Sequence, residues 1–254
     1  MKAMIFAAGL GTRLGDITRT MPKALVEVGG EPMLKRVILK LKDAGVTTMV
    51  VNVHHHADQI IDYLAANGNF GVDLRISDES ARLLDTGGGL LKARPLLDGD
   101  EPVLVHNADI LTDFDIPAML AAHEKSGADA TLLVASRPTS RYLLFNGDMR
   151  MVGWENRTTG ERRTPLPLRA VENSRPLAFG GVHIISPSLF GPLAEYAGDP
   201  KFSITPFYID GCGSLDIRGY LPEESYRWID IGKPDSLTPA ESIVSELRPT
   251  RGAE

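Results

Sequence analysis

"MIFAAGLGTRLGDITRTMPKAL", residues 4–25, runs from an apolar segment into a glycine-rich turn and then carries Arg13 and Lys23 across a loop. The unbroken run Met4-Ile5-Phe6-Ala7-Ala8 suits a strand covered on both faces, as in parallel α/β sheets. The turn after it then lies at the carboxyl edge of the sheet, where open α/β folds bind ligands. A dinucleotide fingerprint would need a third glycine where Leu14 stands, Gly15 being one place late, and no G-x-x-x-x-G-K-[ST] string follows. Two readings stay open: a tight turn using glycine for positive φ, and a cradle for polyphosphate. A turn needs no cations. A polyphosphate needs close backbone N–H groups and fixed positive charge, which Arg13 and Lys23 supply.

The rest of the chain extends the α/β pattern. After "KALVEV", read as a short strand, Pro32 opens an amphipathic helix, Met33 to Ala44, closed by Gly45. "TTMVVNV", "VDLRIS", "PVLVH" and "DATLLVA" read as strands, separated by the helical stretches "ADQIIDYLAAN" and "IPAMLAAHEKSG". Alternation at these spacings implies right-handed crossovers and a doubly wound, mainly parallel sheet. In "YLLFNGDMRMVGW", Asn146-Gly147 between apolar runs signals a hairpin and a small antiparallel insertion. A further strand, "LAFGGVHIIS", follows. Residues 1–247 are expected to form one domain, with 248–254 a frayed tail.

Bulk properties narrow the partners. The 254 residues can bury a sizeable core, and a net charge of -6 argues against a nucleic-acid surface while leaving room for a nucleotide held by a few local cations. Cys212 is the only cysteine, which excludes an intrachain disulfide and a cysteine zinc site. The sequence shows no signal-peptide pattern and no apolar run approaching about 18 residues, so no membrane partner and a cytoplasmic location are expected.

Two aspartates stand just past apolar strands. Asp109 follows "PVLVH" in "NADI", and Asp230 lies in "RWIDIG". Each alone suits a cap or a turn. Together, near a cationic polyphosphate loop, they are hard oxygen ligands for one Mg²⁺ that would bridge protein and substrate phosphates. "LLDTGGGLLKA" adds a second glycine-rich turn before a helix, where Gly87, Gly88 and Gly89 would either admit a flat base or form a flexible loop.

"AAGLGTRL", "MPKAL", "DTGGGL", "NADI" and "WIDIGKP", in this order and over nearly the whole chain, resemble the sugar-1-phosphate nucleotidyltransferases. The resemblance implies a Rossmann-like three-layer α/β/α fold and transfer of a nucleotidyl group from an NTP, UTP or GTP, to a sugar 1-phosphate, with Mg²⁺ on Asp109 and Asp230. It implies nucleotide contacts from Ala7, Ala8, Gly9, Gly11, Thr12, Gly87, Gly88 and Asn107, with Arg13 clamping the triphosphate. Lys23 would neutralise the reacting phosphates, and Arg13, Lys23 and Asp109 would be the catalytic set. Many relatives carry a V-x-E-K-P segment whose Glu holds the sugar and whose Lys holds its phosphate. Here the corresponding stretch reads "VENSRPLAFGGVH", so Glu172 is a loose equivalent, Gly181 a sugar contact, and the lysine is missing. Arg169, Arg175 and Lys201 are the candidate substitutes for it. Nucleotidyl transfer to a non-sugar phosphorylated alcohol such as phosphocholine, and a non-catalytic nucleotide-binding regulator, are the competing functions.

Other features read as structural. His54, His55 and His56 alternate faces on an extended segment without further ligand spacing. Trp154 and Trp228 are expected to pack, and His106 to be a buried strand residue.

Overall fold

The computed structural model describes residues 1–246. The expected tail at 248–254 lies outside them. Chain order begins with β1 (Lys2–Phe6), the single turn α1 (Ile17–Thr20), and a minimal hairpin of β2 (Glu27–Val28) and β3 (Glu31–Pro32). Next come α2 (Met33–Asp43), β4 (Thr48–Val53), α3 (Ala57–Ala66), β5 (Asp73–Asp78) and α4 (Asp85–Ala93). Then follow β6 (Val103–Asn107), β7 (Ile110–Thr112), α5 (Ile116–Ser126) and β8 (Ala130–Ala135). An antiparallel run, β9 (Arg141–Phe145), β10 (Met151–Asn156), β11 (Glu161–Arg163) and β12 (Arg175–Ile185), precedes α6 (Phe190–Tyr196) and α7 (Ile204–Gly211). The chain closes with β13 (Ile217–Tyr220), β14 (Trp228–Asp230) and α8 (Leu237–Glu246).

Ten strands form one sheet, ordered β11-β10-β9-β12-β6-β1-β4-β5, with β8 and β13 branching from β12. β1 pairs in parallel with both β4 and β6, and β4 with β5. The chain therefore leaves β1 toward one side and returns to its other side at β6. That reversal is a topological switch point, the place where an open α/β sheet opens a crevice beyond its carboxyl ends. β12 runs antiparallel to β6, β8 and β9, and so carries the antiparallel extension into the centre of the sheet.

Alternation along β1 feeds two cores. Ala3 and Ile5 pack with Leu34, Ile38 and Leu41 of α2, Ile60 of α3 and Met119 of α5. Met4 faces the other way, toward Leu90 of α4, Leu193 of α6 and Phe207 and Tyr208 of α7. All three β1 residues are fully buried, as a strand between two helical layers requires.

Three local expectations change. "KALVEV" is mostly not a strand: Lys23–Leu25 is a 3-10 turn, and pairing begins only at Glu27. Its apolar residues pack into two separate cores, which a period-2 pattern does not distinguish from a strand. The hairpin at Asn146 forms, but its positive φ falls on Met149, and Asn146 Oδ1 accepts from the amides of Asp148 and Arg150, giving a longer loop. Finally, the "DTGGG" turn is the first turns of α4 itself.

Candidate active site

The crevice at the carboxyl ends of β1 and β6 is a cavity of about 410 Å³. Its walls include Ala7, Ala8, Gly9, Gly11, Thr12, Arg13, Lys23, Asn107 and Asp109, all singled out in the sequence, together with Lys201. The turn after β1 owes its shape to residues that the sequence did not flag. Asn52, at the end of β4, accepts the amides of Ala7 and Ala8 at 2.8 and 3.3 Å and donates to Glu79 Oε1 at 2.7 Å. The Glu79 carboxylate, with no exposed surface, also accepts the Leu84 amide at 2.9 Å, tying the turn to the entry of α4. Gly11 has φ 67, a conformation that favours glycine, and its carbonyl accepts from Thr18 Oγ1 at 2.9 Å. The amides of Gly9, Leu10 and Gly11 have no hydrogen-bond partner among the described residues and stand at the cavity wall.

The two aspartates meet through a short antiparallel pair. β14 runs beside β7 with Asp230 opposite Ile110, and the Ile231 amide donates to the Asp109 carbonyl at 3.0 Å. The Lys23 ammonium contacts Asp109 Oδ2 and lies 3.9 Å from Asp230 Oδ1. Gly232 closes the cluster. A Cβ at this position would come within 2.7 Å of Arg13 Nη2 and of Asp230 Oδ1, and 3.0 Å of Lys23 Nζ. Arg13, Lys23 and Asp230 thus converge on one point at the cavity wall. Among the described residues no group of three or more His, Cys, Asp or Glu is placed to hold a metal ion. Asp109 in the cavity wall, with Asp230 beside it at Gly232, nonetheless suits Mg²⁺, which takes one or two protein carboxylates and fills its remaining positions with substrate phosphates and water.

Other expected residues lie elsewhere. Gly87 and Gly88 sit inside α4, behind the cavity, whose wall at this point is Leu83, Asp85 and Thr86. Side chains at these two glycines would overlap the Phe202 ring and the Pro200 carbonyl, and both amides donate to the Phe202 carbonyl, at 2.9 and 3.2 Å. The glycines allow the 200–202 segment to dock on the helix, and those amides are already engaged. Gly181 touches the site through Asn107, whose Nδ2 lies 2.9 Å from where its Cβ would be, and its φ is 71. Glu172 is exposed before β12 and lines neither major cavity. Arg169 is exposed, and Arg175 is exposed with Nη2 3.4 Å from Ser136 Oγ.

A second cavity of about 480 Å³ includes Arg137, Thr139, Arg141, Trp154, Arg163, Phe179 and Ser203 in its wall. It adjoins the first where Thr86 Oγ1 meets Ser203 Oγ at 3.4 Å. Trp154 faces this cavity, while Trp228 packs under Arg137. Burial lowers the pKa of the Arg137 guanidinium, with Tyr226 and Asp230 acting in the opposite sense. His106 is fully buried at the end of β6, its Nδ1 2.8 Å from the Asn107 carbonyl, and burial pushes its pKa down to about 4. It is a neutral strand residue at physiological pH.

Comparison with known proteins places the chain in a family. Residues 2–145 match the model of a family described as nucleotidyl transferase. The N-acetylmuramate alpha-1-phosphate uridylyltransferase of Caulobacter vibrioides is 34% identical over 252 residues, covering 96% of this chain and 97% of that protein. The mannose-1-phosphate guanyltransferase of Schizosaccharomyces pombe is 30% identical over 255 residues, covering 98% of this chain but 66% of the longer relative. Among solved structures, UDP-glucose pyrophosphorylase complexed with UDP-glucose superposes with a TM-score of 0.76 at 18% identity, covering 98% of this chain and 100% of that one. HddC from Yersinia pseudotuberculosis, complexed with GMP-PN, gives 0.74 at 21% identity, covering 96% and 99%. At these identities the two structures speak to the fold. No helix among the described residues is long and apolar enough to cross a membrane.

Proposed function

The chain belongs to the nucleotidyl transferase family, and from that membership we propose that it transfers a nucleotidyl group from an NTP to a sugar 1-phosphate, releasing pyrophosphate and an NDP-sugar. The observation that carries this reading is the convergence of Arg13, Lys23 and Asp230 on Gly232, with Asp109 against the same ammonium. Such a cluster supplies the two things that polyphosphate transfer requires, fixed cations and hard anionic ligands, at one edge of one cavity.

In this reading the NTP occupies the first cavity. The free amides of Gly9 to Gly11 and the planar fork of Arg13 take the triphosphate oxygens, a geometry that guanidinium meets bidentately. A phosphate oxygen of the acceptor attacks the α-phosphorus in line with departing pyrophosphate. That oxygen is already anionic, so neither a strong base nor a covalent enzyme intermediate is needed. Positioning and charge neutralisation then carry the rate. The family is generally metal-dependent. Asp109 and Asp230 would hold Mg²⁺, which when bound supplies positive charge against the phosphates beyond what Lys23 and Arg13 provide.

The second cavity favours a sugar over a small phosphorylated alcohol. Trp154 and Phe179 offer flat apolar surface, and Thr139 and Ser203 offer hydroxyls, in a volume suited to a hexose-sized ligand. UTP and GTP are the leading donors, matching the uridylyl and guanyl names of the two relatives. Pyrophosphate release, measured with four NTPs against a panel of sugar 1-phosphates and phosphocholine in Mg²⁺, tests the proposal. Release should require an NTP and a sugar phosphate together. Tight NTP binding without release for any pair would instead indicate a regulator, and release with phosphocholine alone would reassign the acceptor.

A further inference from the structure

Arg137 brings a cation to the second cavity without a carboxylate to balance it. Of the other arginines in that cavity's wall, Arg163 pairs with Asp210 at 3.0 Å, while Arg141, which also has no carboxylate partner among the described residues, is exposed where Arg137 is half-buried. No acidic side chain among the described residues lies within ion-pair distance of Arg137. Its Nε is buried and without a partner. Leaving a partly buried guanidinium short of partners costs folding free energy, which a purely structural residue would have no reason to incur.

The side chain is nevertheless held firmly. The guanidinium carbon lies 3.8 Å from the centroid of the Trp228 ring, and Nη2 donates to the Phe179 carbonyl at 2.7 Å. Trp228 is itself fixed by its Nε1 hydrogen bond to the Gly180 carbonyl at 2.8 Å. Stacking on one face and an anchor at one corner make a rigid, aimed cation.

Its position says what it is aimed at. Arg137 is part of the wall of the second cavity, and Trp228 beneath it lies on the same strand as Asp230. Residues 228 and 230 alternate back to the same face of β14, so the stack on Trp228 puts Arg137 on the Asp230 side of that strand. A sugar in the second cavity whose phosphate reaches the Asp109–Asp230 edge would pass the guanidinium on its way. We infer that Arg137 binds the phosphate of the sugar 1-phosphate acceptor and aims its attacking oxygen at the α-phosphorus. This rests on the function proposed above. In the step, a bond forms between that oxygen and the α-phosphorus while the bond from the α-phosphorus to the bridging oxygen of pyrophosphate breaks, and no proton moves. The role answers the like-charge repulsion between a dianionic acceptor and the NTP.

Arg137→Ala should raise the KM for the sugar phosphate by at least tenfold while NTP affinity, measured calorimetrically without acceptor, stays within twofold. Arg137→Lys should recover part of the loss, since it keeps charge but not the fork, and added guanidinium ion should partly rescue the alanine variant. Unchanged acceptor KM in both variants, or an equal loss of NTP affinity, would overturn the assignment. A readout independent of turnover separates this proposal from the reading on which it rests. The ¹⁵Nε–Hε resonance of Arg137, identified by its absence from the Arg137→Lys spectrum, should shift when mannose 1-phosphate or inorganic phosphate is added to the Mg²⁺-loaded wild type, and not with mannose. No shift with either phosphate would sink the assignment even if the enzyme turns over; a shift without turnover would support the anion site and reject the transfer reaction.

Discussion

Asp109 and Asp230, far apart in the chain, share one cation: the Lys23 ammonium contacts Oδ2 of the first and lies 3.9 Å from Oδ1 of the second. The pairing of β7 with β14 creates this relationship, and the buried 3-10 turn at Lys23–Leu25 delivers the lysine to it. The two carboxylates are not equivalent. The Asp109 side chain is 20% exposed and that of Asp230 38%, and only Asp109 is in direct contact with the lysine.

Asp109→Asn and Asp230→Asn should each lower kcat by roughly 10²- to 10⁴-fold, the loss expected when a metal-binding and charge-balancing carboxylate is neutralised. Stability should separate them. Asp109→Asn leaves the nearly buried Lys23 without its close partner and should cost about 1–3 kcal/mol, whereas Asp230→Asn should cost under about 1 kcal/mol. Steady-state kinetics with urea unfolding of both variants checks the pair. Equal unfolding midpoints would show that the ion pair with Lys23 contributes nothing, and near-wild-type turnover in either would remove that aspartate from the site.

Gly232→Ala should damage activity and spare the fold. The added Cβ meets only the flexible ends of Arg13, Asp230 and Lys23, at 2.7, 2.7 and 3.0 Å, so these groups swing aside rather than strain the backbone. Displacing them should reduce kcat/KM by about 10²-fold, since small misplacements of charged catalytic groups are felt strongly. A variant with a normal melting temperature and normal kcat/KM would mean that this convergence is not used in the reaction.

Gly88→Ala should do the reverse. Its Cβ would overlap the Pro200 carbonyl oxygen, which belongs to backbone and cannot rotate away. Separating the 200–202 segment from α4 also strains the hydrogen bonds from the Gly87 and Gly88 amides to Phe202. A loss of about 1–3 kcal/mol is expected for such overpacking. An unchanged denaturation midpoint would show that the segment moves freely at this point.

Acid should weaken the fold before ordinary carboxylates titrate. Burial lowers His106 to about 4 and His183 to about 3, and His123 shifts in the same direction. The unfolded chain takes up these protons near pH 6.5 while the native chain refuses them, so stability is complete above about pH 6.5 and declines as pH falls from there toward 4, by up to about 1.4 kcal/mol per pH unit for each histidine. His183 has both ring nitrogens buried without partners, against the rings of Phe179 and Tyr208. His183→Leu should therefore flatten the dependence between pH 6.5 and 5 in urea titrations. A slope equal to wild type would exclude His183 as a source of the acid sensitivity.

Much of this was legible in the sequence for a physical reason. The strand run at Met4–Ala8 and its glycine turn are local signals, and once a parallel sheet is expected, Arg13 and Asp109 fall at its ligand-binding edge, whereas Asp230 reaches that edge through the separate antiparallel pair of β7 and β14. What stayed hidden depends on distant partners. A glycine triplet looks the same whether it yields to a ligand or to a neighbouring backbone, and only the docking of Pro200 and Phe202 on α4 distinguishes the two. Asn52 and Glu79 look like ordinary strand-end polar residues until the pairing of β1 with β4 puts the Asn52 amide under the turn. Arg137 gains meaning only when β8, β12 and β14 bring Trp228 and the Phe179 carbonyl to it.

Exchange of ³²P-labelled pyrophosphate into NTP bears on transfer to a sugar phosphate and on direct in-line attack in a single experiment. With Mg²⁺ and the matching NDP-sugar, the protein should form labelled NTP. With NTP and labelled pyrophosphate alone, no label should enter NTP, because without a nucleotidyl-enzyme the reverse step needs the sugar nucleotide. Label appearing in NTP without any NDP-sugar would contradict direct attack by the acceptor, and no labelled NTP with any NDP-sugar would contradict nucleotidyl transfer to a sugar phosphate altogether.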